Sequence, residues 1–323
     1  MSNKKHKILL IIPKHFYSFQ KHFKTELENR KYTVTIANDE YPENIWGLLL
    51  GKLKIPIIKS ITYNQIKNYF LKDQYYDLII IFKGRGLSPK LIDELKLHSA
   101  KVIGYNWDSF KFNDVPLNWY KKITAYYTFD HKDSEEYNIP LIELFSSDNN
   151  FNVNEKKIDY KYSAIFRNHS NRLKYMESVI KYFDIQQDDI IIYIFEKNIF
   201  FAVINFISSP VLYIKYKKFI HSKSLDYENY SKIIKNSCYT IDYAHPKQTG
   251  LTMRCFEALN AKTNIITNNS YIRKSSYFQN LNPIVFTFDK PPGKGELQPD
   301  FENKLYNEWP KRTTVDFFND LLK

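Results

Sequence analysis

Short apolar runs bounded by polar residues recur along the first half of the chain, over residues 7–13, 32–37, 76–82, 101–105 and 123–129. Each is too short for a helix, and most lack the alternation of a half-exposed strand. They therefore predict parallel strands buried on both faces, most plainly YDLIIIF at 76–82. Helical spacing fills the gaps over 16–29 and 63–71. Ser88-Pro89 opens another helix, with the serine as N-cap and the proline in the first turn. A short helix is predicted over 133–137. Strands alternating with helices predict a doubly wound parallel sheet.

A polar stretch, SSDNNFNVNEKK at 146–157, predicts a linker, after which the alternation resumes. Strands are predicted over 162–166, 190–195, 237–241, 264–267 and 284–288, and helices over 171–183, 225–236 and 251–259. Residues 198–222 read as an apolar helix broken at Pro210. The expected organisation is an α/β protein of two Rossmann-like domains, 1–150 and 151–323. A closing amphipathic helix over 315–322 is free to cross back to the first domain.

Within the second half, residues 241–269 read strand, loop, helix, strand. On the central helix Leu251, Cys255, Ala258 and Leu259 share one side, while Gly250, Arg254 and Glu257 fall on another. The apolar side packs inward, and a cation and a carboxylate three residues apart point together at something else. A helix entrance at Gly250, flanked by Thr249 and Thr252, offers free N–H groups and the positive end of the helix dipole to an anion. Arg254 can add a charge-assisted bond to phosphate. Glu257, further along, suits a pair of sugar hydroxyls. Phosphate and ribose together mean a nucleotide.

Three strand ends in the first half carry polar groups: Lys83 and Arg85, Asp108 and Ser109, and Asp130. Ligands of such sheets sit beyond the carboxyl ends of the strands, although a lone Asp there is more often a turn or cap residue. Formal charge is 47 − 35 = +12, which suits polyanions: nucleic acid, an anionic membrane surface or a phosphorylated substrate. There is no long basic block and no nucleic-acid motif, so nucleic acid is not the expected partner. Cys238 and Cys255 form neither a metal-ligand nor a disulfide pattern, which fits a reducing cytoplasmic compartment. The apolar run at 8–12 is a first strand rather than a signal peptide. The apolar run 190–216 is interrupted by Glu196, Lys197, Asn205 and Pro210, making it a poor spanning helix. An apolar and basic insertion within 42–59 reads either as a core-packing loop or as a patch for a membrane surface or acceptor, and membrane association is expected to rest on the apolar and basic segments 47–59 and 199–218.

QTGLTMRCFEALNAKTNIITNN resembles the donor-binding segment of GT-B glycosyltransferases, the class built from two Rossmann-like domains facing across a cleft. FKGRGLS, YNWDSFKFNDVP and YTFDHKD, in that order, are similar to a bacterial group of lipopolysaccharide, capsule or spore-coat (CgeB-like) biosynthesis glycosyltransferases. The resemblance implies a nucleotide-sugar donor in the second domain. Gln248, Thr249, Gly250, Leu251 and Thr252 would lie at its phosphates, as diphosphate or monophosphate, with Arg254 adding charge and Glu257 on the ribose. Arg167, His245 and Lys247 would meet leaving-group charge, with no metal or other cofactor. Retaining members often carry a second Glu eight residues before the first. Thr249 stands there, which favours inversion and a general base in the first domain. Asp108 is the first candidate, with Asp130 and His15 as alternatives. Lys83, Arg85 and Ser109 are the acceptor candidates, for a glycan or lipid-linked glycan. The implied activity is transfer of sugar to a surface glycan by a cytoplasmic enzyme, peripheral on the inner membrane face. The alternative is a non-catalytic GT-B-like scaffold of the same assembly pathway.

Overall fold

A computed structural model describes residues 6–14, 19–44, 47, 53, 55–147, 157–279, 281, 283–293 and 310–323. His15, most of the linker and much of the 42–59 insertion lie outside them. The chain divides into two compact units. Unit 1 is Met1–Leu144, Lys247–Gly250 and Thr314–Lys323; unit 2 is Phe145–Pro246 and Leu251–Thr313.

Unit 1 runs β1 (Lys7–Ile11), α1 (Phe19–Asn29), β2 (Thr33–Ala37), α2 (Ile57–Ile66), β3 (Leu78–Phe82), α3 (Pro89–Leu97), β4 (Val102–Asn106), β5 (Ala125–Thr128) and α4 (His131–Tyr137). Its five strands form one parallel sheet in the order β2-β1-β3-β4-β5. The continuous apolar runs are the central strands, and every residue of β3 and β4 is buried. Around them α1 buries Phe19, Phe23 and Leu27, one turn apart. Ser88 caps α3 as predicted, its Oγ accepting from the Leu91 N–H at 3.3 Å. The helix predicted at 63–71 begins earlier, just after Pro56, and its last turn widens to π geometry over Lys67–Leu71.

Unit 2 runs β6 (Tyr160–Arg167), α5 (Arg172–Tyr182), β7 (Ile190–Phe195), α6 (Ile199–Ser208), α7 (Pro210–Tyr216), β8 (Ile220–His221), α8 (Tyr227–Lys235), β9 (Ser237–Asp242), α9 (Met253–Asn260), β10 (Asn264–Thr267) and β11 (Ile284–Val285). All six strands are parallel, in the order β11-β10-β9-β6-β7-β8. The first strand lies in the middle and the chain winds outward first on one side, then on the other, which is the dinucleotide-fold order.

The last helix, α10 (Thr314–Leu321), belongs to unit 1. Phe318 meets Phe23 edge-on at 5.0 Å, and Phe317 meets Tyr105 likewise at 4.9 Å. The division between the units falls at Leu144/Phe145 rather than at 150/151. Ser146 already pairs with the end of unit 2, its N–H donating to the Arg312 carbonyl at 2.9 Å.

Candidate functional site

A parallel sheet offers a ligand the crevice where neighbouring strands send their chains to opposite sides. In unit 2 that point lies between β6 and β9. The carboxyl end of β6 supplies Arg167, Asn168 and His169, with Arg172 at the start of α5. The end of β9 supplies Asp242 and, three residues on, His245. The sequence singled out Arg167, His245 and Arg254; the fold brings these together and adds His169 and Arg172. The His169 imidazole is driven down to about 3, first by burial and then by the positive charges of Arg172, Arg167, His245 and Arg254. It is therefore neutral at physiological pH, inside a field that repels a proton and attracts an anion. Arg167 lies over the Phe201 ring at 5.4 Å. Buried Asn168 donates to the Glu196 carboxylate at 2.9 Å and fixes the loop that presents its neighbours.

The helix entrance differs from the expectation. Helix α9 begins at Met253, with Thr252 at its N-cap making no side-chain capping bond; Thr252 Oγ1 lies 3.7 Å from Cys255 Sγ. Leu251 is buried and Gln248 is half-exposed. Thr249 and Gly250 do not hold their N–H groups ready for an anion, because Asp130 already takes both. Asp130 Oδ2 accepts from the Thr249 N–H at 2.6 Å and the Gly250 N–H at 3.3 Å, while Oδ1 accepts from the Thr249 hydroxyl at 2.6 Å. Glycine is required at 250 by close approach: a Cβ there would stand 2.6 Å from the Phe129 carbonyl oxygen.

Arg254 and Glu257 share a side of α9 as expected, but that side faces the interior of unit 2. Arg254 Nη1 bonds to Asp242 Oδ1 at 2.9 Å, and the Asp242 side chain is fully buried. Glu257 is 9% exposed, and its Oε2 accepts from the Tyr230 hydroxyl at 2.5 Å. The pair thus serves the packing of α8, α9 and β9. The Arg254 side chain keeps 17% of its surface and contributes to the cationic field. Its Nε is buried with no hydrogen-bond partner among the described residues.

In unit 1 the strand ends gather a second polar cluster. Lys83 Nζ pairs with Asp108 Oδ2 at 2.6 Å, and both side chains remain part-exposed. Lys83 and Gly84 both adopt left-handed backbone, at φ +66° and +62°. This conformation is costly for a lysine, and it is held by the Lys83 N–H on the Tyr105 carbonyl at 2.9 Å and by Asn113 on the Lys83 carbonyl at 2.8 Å. Arg85 Nε lies 3.4 Å from Glu40 Oε2, and the Arg85 N–H donates to buried Asp39 at 3.1 Å. Burial raises Asp39 to about 7, against the pull of the Arg85 N–H and of the Lys83 and Arg85 charges. The sequence reading passed over Asp39 and Glu40, although NDE directly after a buried strand is the same signal as the three strand ends it used.

Two candidates are corrected here. Ser109 is 2% exposed, and its hydroxyl donates to Asp133 at 3.4 Å, so it is an internal residue rather than an acceptor contact. Asp130 is 1% exposed and caps α4 through the N–H groups of Lys132 and Asp133 while holding the 249–250 turn. All its acceptor positions are engaged, so it is not a base for a substrate. Asp108 keeps exposed surface, with its Oδ2 paired to Lys83.

No protein-family model matches the chain, and no curated protein matches it. Solved structures do. A UDP-GlcNAc 2-epimerase from Methanocaldococcus jannaschii has a TM-score of 0.53 at 13% identity, covering 98% of each chain. A glycosyltransferase from Rickettsia africae has 0.52 at 12%, covering 91% of this chain and 86% of that one. The Anabaena protein HepE, solved with UDP and glucose, has 0.51 at 12%, covering 90% and 88%. This likeness, with the two parallel-sheet units, shows the fold: two Rossmann-like domains of the GT-B type.

Proposed function

We propose that unit 2 binds a nucleotide sugar and that the protein transfers the sugar to a surface-glycan acceptor of the lipopolysaccharide or capsule kind. The observation that carries this reading is the group at the β6–β9 switch point: the guanidinium groups of Arg167, Arg172 and Arg254, with His245 beside them, around the neutral imidazole of His169. Glycosyl transfer breaks the bond from the anomeric carbon to phosphate and forms one to an acceptor hydroxyl, whose proton goes to a base. The developing phosphate charge needs fixed positive charge, and in this reading side chains supply it rather than a metal ion. Asp108 is the proposed base, released from Lys83 when an acidic acceptor takes the ammonium. Inversion at the anomeric carbon follows from a single displacement.

Calorimetric titration with UDP, GDP, dTDP and CMP tests the binding step. One of them is expected to bind with Kd on the order of 10 μM. Arg167→Ala and His169→Ala should each weaken it about tenfold, the loss of one charge-assisted contact. Bound phosphate also reverses the field at His169. By NMR, the imidazole should stay neutral to about pH 3 in the free protein and titrate distinctly higher in the complex. No binding by any of the four would overturn the reading. Incubation with the matching nucleotide sugar then separates activities. Isomerised sugar nucleotide without acceptor means epimerisation, whereas sugar moved to an added acceptor, lost in Asp108→Asn with binding kept, means transfer.

A further inference from the structure

Helix α6 is inside out. Its sequence, IFFAVINFIS, holds one amide, and that amide faces inward. Asn205 Nδ2 donates to both Glu196 carboxylate oxygens, at 3.0 and 2.9 Å, and lies 3.1 Å from the Asn168 carbonyl. The apolar side chains point the other way. No residue of α6 is buried; Ile199 is 80% exposed, and Phe200, Val203, Ile204, Phe206 and Ile207 are exposed with it. Helix α7 extends the surface with Val211, 76% exposed, and Ile214.

The hairpin is firmly built. Asn198 Oδ1 caps α6 by accepting from the Phe201 N–H at 3.1 Å. Pro210 opens α7, and Phe206 meets Tyr213 edge-on at 5.8 Å across the bend. Buried Tyr216 donates its hydroxyl to Glu177, and Lys215 bonds to the same carboxylate at 2.8 Å. The fold therefore holds a contiguous apolar surface out to water, where a monomer gains nothing from it.

Charge identifies what covers it. From Lys197 to Leu225 the chain has no acidic residue, while Lys197, Lys217, Lys218 and Lys223, all exposed, lie before and after the apolar helices in the chain, and Lys215 pairs with Glu177. A second copy docked face to face would set these lysines against their own equivalents, because a twofold contact pairs a patch with itself. A bilayer carrying anionic headgroups complements both parts, taking the apolar side chains into the acyl boundary and the lysines at the phosphate level. Among the described residues no helix is long and apolar enough to cross a membrane, so the hairpin lies along the surface. We propose that the α6–α7 hairpin seats unit 2 on an anionic lipid bilayer. This placement does not depend on the nucleotide reading above.

Vesicle flotation of the full chain is the test, with phosphatidylcholine alone and with about 30% phosphatidylglycerol. The protein should float with the anionic vesicles and stay largely in solution with the neutral ones. A Phe200→Ser/Ile207→Ser/Val211→Ser variant alters exposed positions only, so its circular dichroism should match the parent while its partitioning falls at least about tenfold. A Lys217→Gln/Lys218→Gln/Lys223→Gln variant should partition several-fold less and with a shallower salt dependence. Failure of the parent to float with anionic vesicles overturns the proposal. So does flotation that survives the serine changes. Sedimentation supplies a third arm: a parent dimer dissolved by the serine changes would assign the face to a second copy instead.

Discussion

Arg254→Ala is expected to lower the stability of the protein by about 3–5 kcal/mol, the cost of stranding a buried charge by removing its partner. Asp242 sits at the end of a central strand with a fully buried side chain, and Arg254 Nη1 lies 2.9 Å away. Burial alone would weaken the Arg254 charge. The Tyr230 hydroxyl and the Asp242 and Glu257 carboxylates around it outweigh burial and hold its pKa above the ordinary arginine value. Alanine leaves the fully buried Asp242 carboxylate without the guanidinium that pairs with it, and the Tyr230–Glu257 pair without its neighbouring cation. Urea denaturation with separate probes for each unit is the measurement, because two units need not unfold together. The double change Arg254→Met/Asp242→Asn should cost less than Arg254→Ala alone, since it removes the stranded charge with its partner. An Arg254→Ala protein of unchanged stability and lost nucleotide binding would instead return this arginine to the purely ligand-facing role its sequence position suggested.

The contrast shows what a helical wheel contains. Spacing placed Arg254 and Glu257 on one side of a helix, and they are on one side. Spacing says nothing about what that side meets. The acid opposite, Asp242, hides at the end of an apolar strand, and the phenol opposite, Tyr230, is on a helix 27 residues earlier. The strands were legible because burial on both faces writes itself as a run of Ile, Leu and Val. Asn264–Thr267 and Ile190–Phe195 were found to the residue. The amphipathic pattern of α10 was legible too, but its partners Phe23 and Tyr105 lie more than two hundred residues away. His169 was missed for the same reason: nothing near it in sequence announces His245 or Arg254. Its local signal, RNHSNR directly after a buried strand, was available. Helix α6 is a different case: the sequence marked 199–218 as an apolar and basic segment for a membrane surface, and the fold turns its apolar side chains outward.

Asp130 shows how much a strand-end carboxylate can do without touching substrate, and its removal should be the second most damaging single change. Asp130→Ala is expected to cost about 2–4 kcal/mol, from the loss of a helix cap and of charge-assisted bonds to buried N–H groups. Five donors converge on it. Oδ1 accepts from the Lys132 and Asp133 N–H groups at 3.1 and 3.2 Å and from the Thr249 hydroxyl, and Oδ2 accepts from the Thr249 and Gly250 N–H groups. Both oxygens face donors, so asparagine does not rescue the site. Its amide NH2 must confront either the start of α4 or the 249–250 turn, leaving N–H groups unsatisfied, and Asp130→Asn should still cost about 1–3 kcal/mol. Gly250→Ala should loosen the same turn by another route, since its Cβ would lie 2.6 Å from the Phe129 carbonyl oxygen. Amide hydrogen exchange reads the outcome directly. In Asp130→Ala the amides of Lys132, Asp133, Thr249 and Gly250 should lose protection together, while in Gly250→Ala the loss should centre on 249 and 250. If Asp130→Ala keeps full stability and protection yet abolishes sugar transfer, Asp130 is a catalytic base after all and the turn is held by something else.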